Sequence, residues 1–409
     1  MIHSRNYRTL RRLILPALAG GALAALAFAP TFGAEPVQAN VPTQSISAPK
    51  SDAPKADVPK TDVPKADVPR PDDVKTGEFN EPTPHKEANP STFTGTSVIS
   101  ESKTFEHQRF DNTTSDQNSF IGKNKATITI DSSVFDKTGN TTNDDNSNFH
   151  GQNAVALGIE GSQTSIKDSN ITSNSIGSNA VFATGEGSVI NVENTNIHTK
   201  GDSSRGLDAT YKGTVNGKNL TITTEGAHSA TLATDRGEGT ITAEAAKLTT
   251  SGTGSPVIYS TGNITANNVN GVANKSEIGV VEGKNSITLT NSNVTGYHDN
   301  GFMLYQSFSG DAENGIARLK AENNTLTIHG TGAFIYVNNT TAEADLTGNT
   351  ILMPNTTTLV KAAADSRWGK DGENGGHLTL RASNQELSGN IVADSISTIA
   401  LDMANGSSL

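Results

Sequence analysis

Four glutamates stand at matching places in the chain, each just before a glycine turn: Glu160, Glu186, Glu238 and Glu282. Carboxylates brought to one edge in this way could act as general acid and base, or could take up Ca²⁺. Such chemistry also wants a cation nearby, and "DRGEG" sets Asp235, Arg236 and Glu238 within one turn. Repetition of the segment accounts for the same spacing, and these charges are expected to face water. Two further stretches concentrate polar and aromatic side chains. "YHDNGFMLYQSFSGDAENG", Tyr297 to Gly315, holds His298, Asp299, Phe302, Tyr305, Phe308, Asp311 and Glu313 around an inserted loop. "DSRWGKDGENGGH", Asp365 to His377, holds the single tryptophan, Trp368, beside Arg367. Inserted loops on a rigid scaffold are common binding places, and an exposed aromatic ring can stack on a sugar or pack against a partner. The candidate ligand-binding residues are therefore Trp368, Arg367, Tyr305, Phe308, His298 and Asp299. Phe302 and Tyr305 also fit the register of a strand, in which they would be core or stack between turns.

Other chemistries lack their residues. The chain has no Cys, which removes disulfides, thiolate metal sites and thiol nucleophiles. Gly-x-Ser-x-Gly, His-Glu-x-x-His and a phosphate-binding Gly-Lys-Ser/Thr are all missing. Nine His are scattered without ligand spacing. No cofactor or metal is expected, and the chain is read as non-enzymatic. A net charge of −11 argues against nucleic acid or an anionic membrane as partner.

The elements that must position the candidate residues come from a repeat. Copies start at Gly161, Gly187, Gly213, Gly239, Gly262 and Asn285, with later ones near Ile316, Thr341, Gly376 and Thr398 and a looser one near Lys125. In each copy a first strand alternates apolar and polar residues, as at Ile190 and Val192 or Ile287 and Leu289. A polar turn follows and closes with Asn before an apolar residue: Asn170, Asn196, Asn219 and Asn293. Asn tolerates the left-handed backbone that a sharp corner needs. After a Gly-rich loop comes a second strand, such as "NAVFAT", "RGLDAT" or "SATLAT". One copy cannot bury its apolar side chains alone, whereas stacked copies can. A period of 22–26 residues with two or three short strands predicts an all-β parallel β-helix of about ten turns. Its thin core explains an apolar content of only 33%. Val192 and Val215 are expected to lie one above the other.

The N-terminal region is different material. Arg5, Arg8, Arg11 and Arg12 precede the apolar run Leu13–Ala29, and Val37–Ala39 offers a small-residue cleavage site, so residues 1–39 read as an export signal. Its removal takes away four Arg and Glu35 and leaves −11 − 3 = −14. The mature chain then has no integral membrane span. Ten of 15 prolines fall in residues 40–92, where "SDAPKADVPKTDVPKADVPR" repeats every five residues. Such a segment is expected to be a disordered, extended linker. Residues 93–409 are left for the β-helix.

The grammar of Ala126 to Leu409 resembles the β-helical passenger domains of bacterial autotransporters and related adhesin-like surface proteins. "ELSGNIVADSISTIALDMANGSSL" carries the closest match, to a run common near the end of such passengers. The resemblance implies a right-handed β-helix, an outer-membrane or secreted location, and attachment to a host or neighbouring cell surface, with glycans among the expected partners. Two features depart from it: the chain stops at Leu409 in mid-repeat, so the rod is expected to be truncated, and no translocation barrel follows. The rival reading is a carbohydrate-active enzyme, because polysaccharide lyases and hydrolases also use β-helices. A third is a purely structural surface component.

Overall fold

The computed structural model describes residues 88–298, 300–354, 358–365 and 374–409. The predicted export signal and nearly all of the predicted linker lie outside the described residues. A short 3-10 turn, Pro90–Thr92, leads into the first strand, Gly95–Ile99. From there the chain is a parallel β-solenoid of three sheets. Sheet 1 begins with Gly95–Ile99, sheet 2 with Lys103–Glu106 and sheet 3 with Arg109–Asn112. Sheets 1 and 2 contain twelve strands each and sheet 3 contains ten, all in parallel register. The solenoid thus has twelve coils where the repeat predicts about ten. The first coil, Gly95–Asn112, lies ahead of every predicted copy, where few glycines mark the corners.

The predicted starts of the repeat stack on one another. Thr240 N–H donates to Gly213, Asn263 to Gly239, Ser286 to Gly262 and Arg318 to Asn285. Gly213 and Gly239 are required by close approach, since a Cβ there would lie 2.2 Å from the Ala183 carbonyl oxygen and 2.0 Å from that of Ala209. Strand Val189–Glu193 pairs with Thr214–Lys218 as expected, but Val215 sits over Ile190 and Val192 over Gly217, two residues from the predicted match.

Corners between sheets 2 and 3 are made by one left-handed residue in every coil. Asn194, Asn219, Asn268, Asn291 and Asn323 take this role, with φ between 49° and 58°. The predicted mechanism holds while most of the predicted residues do not. Asn219 is a corner, whereas Asn170, Asn196 and Asn293 are the first residues of sheet 3 strands. The corner comes two residues earlier because one αL residue is enough to turn the chain.

The core is a set of columns. Ile190, Val215, Ile241, Ile264 and Ile287 stack inside sheet 2. Ile171, Ile197, Ile222 and Leu248 stack inside sheet 3. All are at most 2% exposed. Each contributes roughly 1.5–3 kcal/mol relative to exposure. Near the first coils the columns change to aromatic rings, with Phe110 stacked on Phe135 at 4.7 Å. Inner corners between sheets 3 and 1 are satisfied by a repeating pair of hydroxyls. Thr199, Thr224 and Thr250 each donate to the carbonyl of a Ser five residues on, while Ser229 and Ser255 accept from the N–H of the Ser one coil below.

Candidate functional site on the outer face of sheet 1

Three insertions interrupt the coils, and all of them flank sheet 1. Residues 139–155 lie between a sheet 3 strand and a sheet 1 strand. Residues 306–315 and 363–376 lie between sheet 1 and sheet 2 strands. Sheet 1 strands are also apolar on both faces. Leu157, Phe182, Ala233, Tyr259 and Met303 point away from the core, in line with Asp208 and Val280, and most are buried.

The first insertion contains a helix, Asp144–His150. Its N-cap is Asn143, whose side chain accepts from the Asn146 N–H, and Gly151 closes it in the αL conformation. The coils beneath fasten it at every residue of its last turn. Asn179 donates to the Ser147 carbonyl, Arg205 to the Asn148 side chain at 2.5 Å, and Thr210 to the Phe149 carbonyl. The His150 ring stacks on Tyr211, and the Arg236 guanidinium lies 3.7 Å from the centre of the Phe149 ring.

Under this helix lies a buried ionic cluster. Asp208 is 0% exposed and Asp235 6%. Arg205 Nε is 3.1 Å from Asp235 and 4.0 Å from Asp208. Burial pushes both carboxyls above their ordinary range. Asp208 is pushed further, because the Asp235 carboxylate adds to the effect of burial, while Arg205 pulls Asp235 back. The two acids thus share one guanidinium in a dry site, where burial opposes the ionisation of both. Expected to face water, Asp235 is instead sealed, and Arg236 is half-buried in an ion pair with Asp311 from the second insertion.

The second insertion closes over Glu282. Tyr259 and Tyr305 both donate to Glu282 Oε2 at 2.8 Å, and Ser307 donates to Oε1. Glu282 is 2% exposed, and burial raises its carboxyl against the opposing pull of these three hydroxyls. The predicted equivalence with Glu160, Glu186 and Glu238 fails. Glu160 and Glu186 are exposed turn residues, as expected. Glu238 pairs with Lys284 at 2.6 Å. Glu282 instead follows Val281, the partner of Ser260 and so of Thr234, which aligns it with Asp235.

Of the six residues singled out in the sequence, three are described, and each has a different setting. Tyr305 is 7% exposed and belongs to the Glu282 cluster, so its ring is packed and its hydroxyl is used internally. Phe308, on the same loop, is 47% exposed. His298 lies at the corner between sheets 3 and 1, with Nδ1 3.6 Å from Glu277, next to Tyr297 stacked on His329. Asp299, Arg367 and Trp368 lie outside the described residues. Asp208, Arg205, Tyr259 and Ser307 are residues that the sequence reading missed. Their signal was present in the second strands, which run apolar without alternation, as sheets covered on both faces do; "RGLDAT" puts an acid into such a run.

Among the described residues there is no group of three or more His, Asp and Glu placed to hold a metal ion, and no helix long and apolar enough to cross a membrane. Comparison with family models, with curated proteins and with solved structures finds no match to this chain.

Proposed function

We propose that the chain is an exported, adhesin-like surface protein that attaches through the rod and its insertions, without turnover of a substrate. One observation carries this reading. The insertions 139–155 and 306–315 lie over sheet 1, and the carboxylates there are engaged by neighbouring side chains: Glu282 by three hydroxyls, Asp235 by Arg205, and Asp311 by Arg236. Carboxylates committed in this way hold loops in place, and the loops then offer exposed side chains such as Phe308. Host or neighbouring cell surfaces and their glycans are the partners proposed. The test is binding of labelled full chain to cells and to immobilised glycans, with residues 307–313 replaced by a Gly/Ser linker in one variant and Trp368→Ala in another. Loss of binding in either variant, with the fold retained, is the expected result. Binding unchanged in both removes the insertions as the attachment site.

A second reading, a carbohydrate-active enzyme, is favoured by one feature: Asp208, Asp235, Glu282 and Asp311 come together with Arg205 and Arg236 from several coils. Release of reducing ends from a polysaccharide, abolished by Asp208→Asn or Asp235→Asn, would establish it in place of the first.

A further inference from the structure

The geometry points to the outer face of sheet 2 as a self-association surface, on which a second copy of this chain docks antiparallel about a two-fold axis. The axis runs along the strands, between the coil of Asn191 and the coil of Asn216. This goes beyond attachment to a foreign surface and does not depend on it.

Charge order along the face carries the inference. One outward column reads Asp131, Lys167, Glu193, Lys218, Glu244, Asn267 in successive coils. Turned end for end about the stated axis, Glu193 meets Lys218 of the second copy and Lys167 meets Glu244. Asp131 meets Asn267, and one coil further out Glu106 meets Thr290. No like charges meet in these eight rungs. The neighbouring column reads Thr129, Ser165, Asn191, Asn216, Thr242, Thr265. Its inversion sets Asn191 against Asn216, Ser165 against Thr242 and Thr129 against Thr265. It is uncharged throughout and matched in size about the same axis. A two-fold contact must be self-complementary in this way. Alternating signs also relieve repulsion between stacked coils, but that need does not centre a second, uncharged column on the same axis.

The face is prepared for contact. Asn216 donates to Asn191 at 2.9 Å, Thr242 donates to Asn216 at 2.7 Å, and Lys167 lies 3.5 Å from Glu193. Side chains already held in a ladder lose less entropy on docking. Between the two columns runs a trough of about 440 Å³, lined by both of them from the Lys167 coil to the Asn267 coil. Beyond it the middle column becomes charged, with Lys320, Asp345 and Arg381, so the inverted pattern is confined to the first eight coils. Eight coils by one five-residue strand cover about 38 Å by about 16 Å. Both copies together would bury about 1,200 Å², at the lower limit for a specific interface. Association is therefore weak for one pair and strengthens when many copies face one another across two surfaces.

Sedimentation velocity on the full chain across the micromolar range tests the inference, at low and high salt. The expected result is a concentration-dependent monomer–dimer equilibrium, weakened about tenfold by high salt. K167E/K218E makes the column acidic, and E193K/E244K makes it basic. Each variant alone is expected to stay monomeric with an unchanged circular dichroism spectrum, and an equimolar mixture is expected to restore the dimer. A wild-type chain that remains monomeric overturns the proposal, including one that binds a neutral glycan on this face instead. So do single variants that dimerise like the wild type, or a mixture that fails to associate.

Discussion

Sheets 1 and 2 rise through the same twelve coils with the same parallel register, yet their outer faces are opposite in character. Sheet 2 alternates: in Val189–Glu193 the residues facing in are buried and those facing out are not. Sheet 1 does not alternate, and Val181–Thr184 and Leu207–Thr210 are buried at every position. The cause is cover. The helix Asp144–His150 and the loop 306–315 lie over sheet 1, so its outward column holds Phe182, Tyr259 and Met303 in place of Asn, Thr and Lys. The same kind of parallel ladder thus supports, in one sheet, a face that acts as a second core and, in the other, a face that remains a polar surface.

Substitutions on the two faces should separate them. Phe182→Ala, on the covered face, is expected to cost about 3–5 kcal/mol, as much as a residue of the central core. Unfolding by denaturant measures it, and a cost below about 1 kcal/mol would show that the helix covers sheet 1 only loosely. Arg205→Ala comes next, at about 3 kcal/mol, because it leaves Asp235 buried without its cation and frees Asn148 on the helix. Proteolysis near residues 139–153 should rise in the same variant, and unchanged resistance would break the link between the ionic cluster and the helix.

Asp208→Asn sharpens the comparison through pH. Burial and the Asp235 carboxylate hold the Asp208 carboxyl well above its ordinary value of 3.8. A group raised on folding contributes stability that is full below 3.8 and is lost as pH climbs through the folded value. The wild-type denaturation midpoint should therefore fall as pH rises from about 4 toward neutrality. The carboxamide of Asn cannot lose a proton, so the variant should show a shallower slope. Glu282, raised in the same direction, leaves a residual slope. Equal slopes in variant and wild type would place the pH response elsewhere. The smallest effect is expected from Thr242→Ala on the open face of sheet 2, within about 0.5 kcal/mol.

Much of this arrangement was legible in the chain. Apolar residues two apart in Ile190–Val192, repeated with a Gly at many of the starts, were enough for the solenoid, because a column of stacked side chains needs the same residue class at the same interval. Corners were read by mechanism and misplaced by residue: Asn196 and Asn293 carry the right chemistry two positions too late. Tyr305 was legible as either core or ligand, and it proves to be packed. The ionic cluster was hidden for a different reason. Arg205 and Asn148 are 57 residues apart and Arg236 and Asp311 are 75 apart, and no local pattern announces pairs at such separations.

Period and polarity, both properties of neighbouring residues, were enough by themselves to specify the winding of this chain, since each coil needs only the coil beside it to bury its inward side chains. Which face would be covered, and which carboxylates would be withdrawn from water with it, was decided in three dimensions. Insertions leave no trace in the repeat of where they fold back, and a charge becomes costly only when another segment excludes the solvent around it.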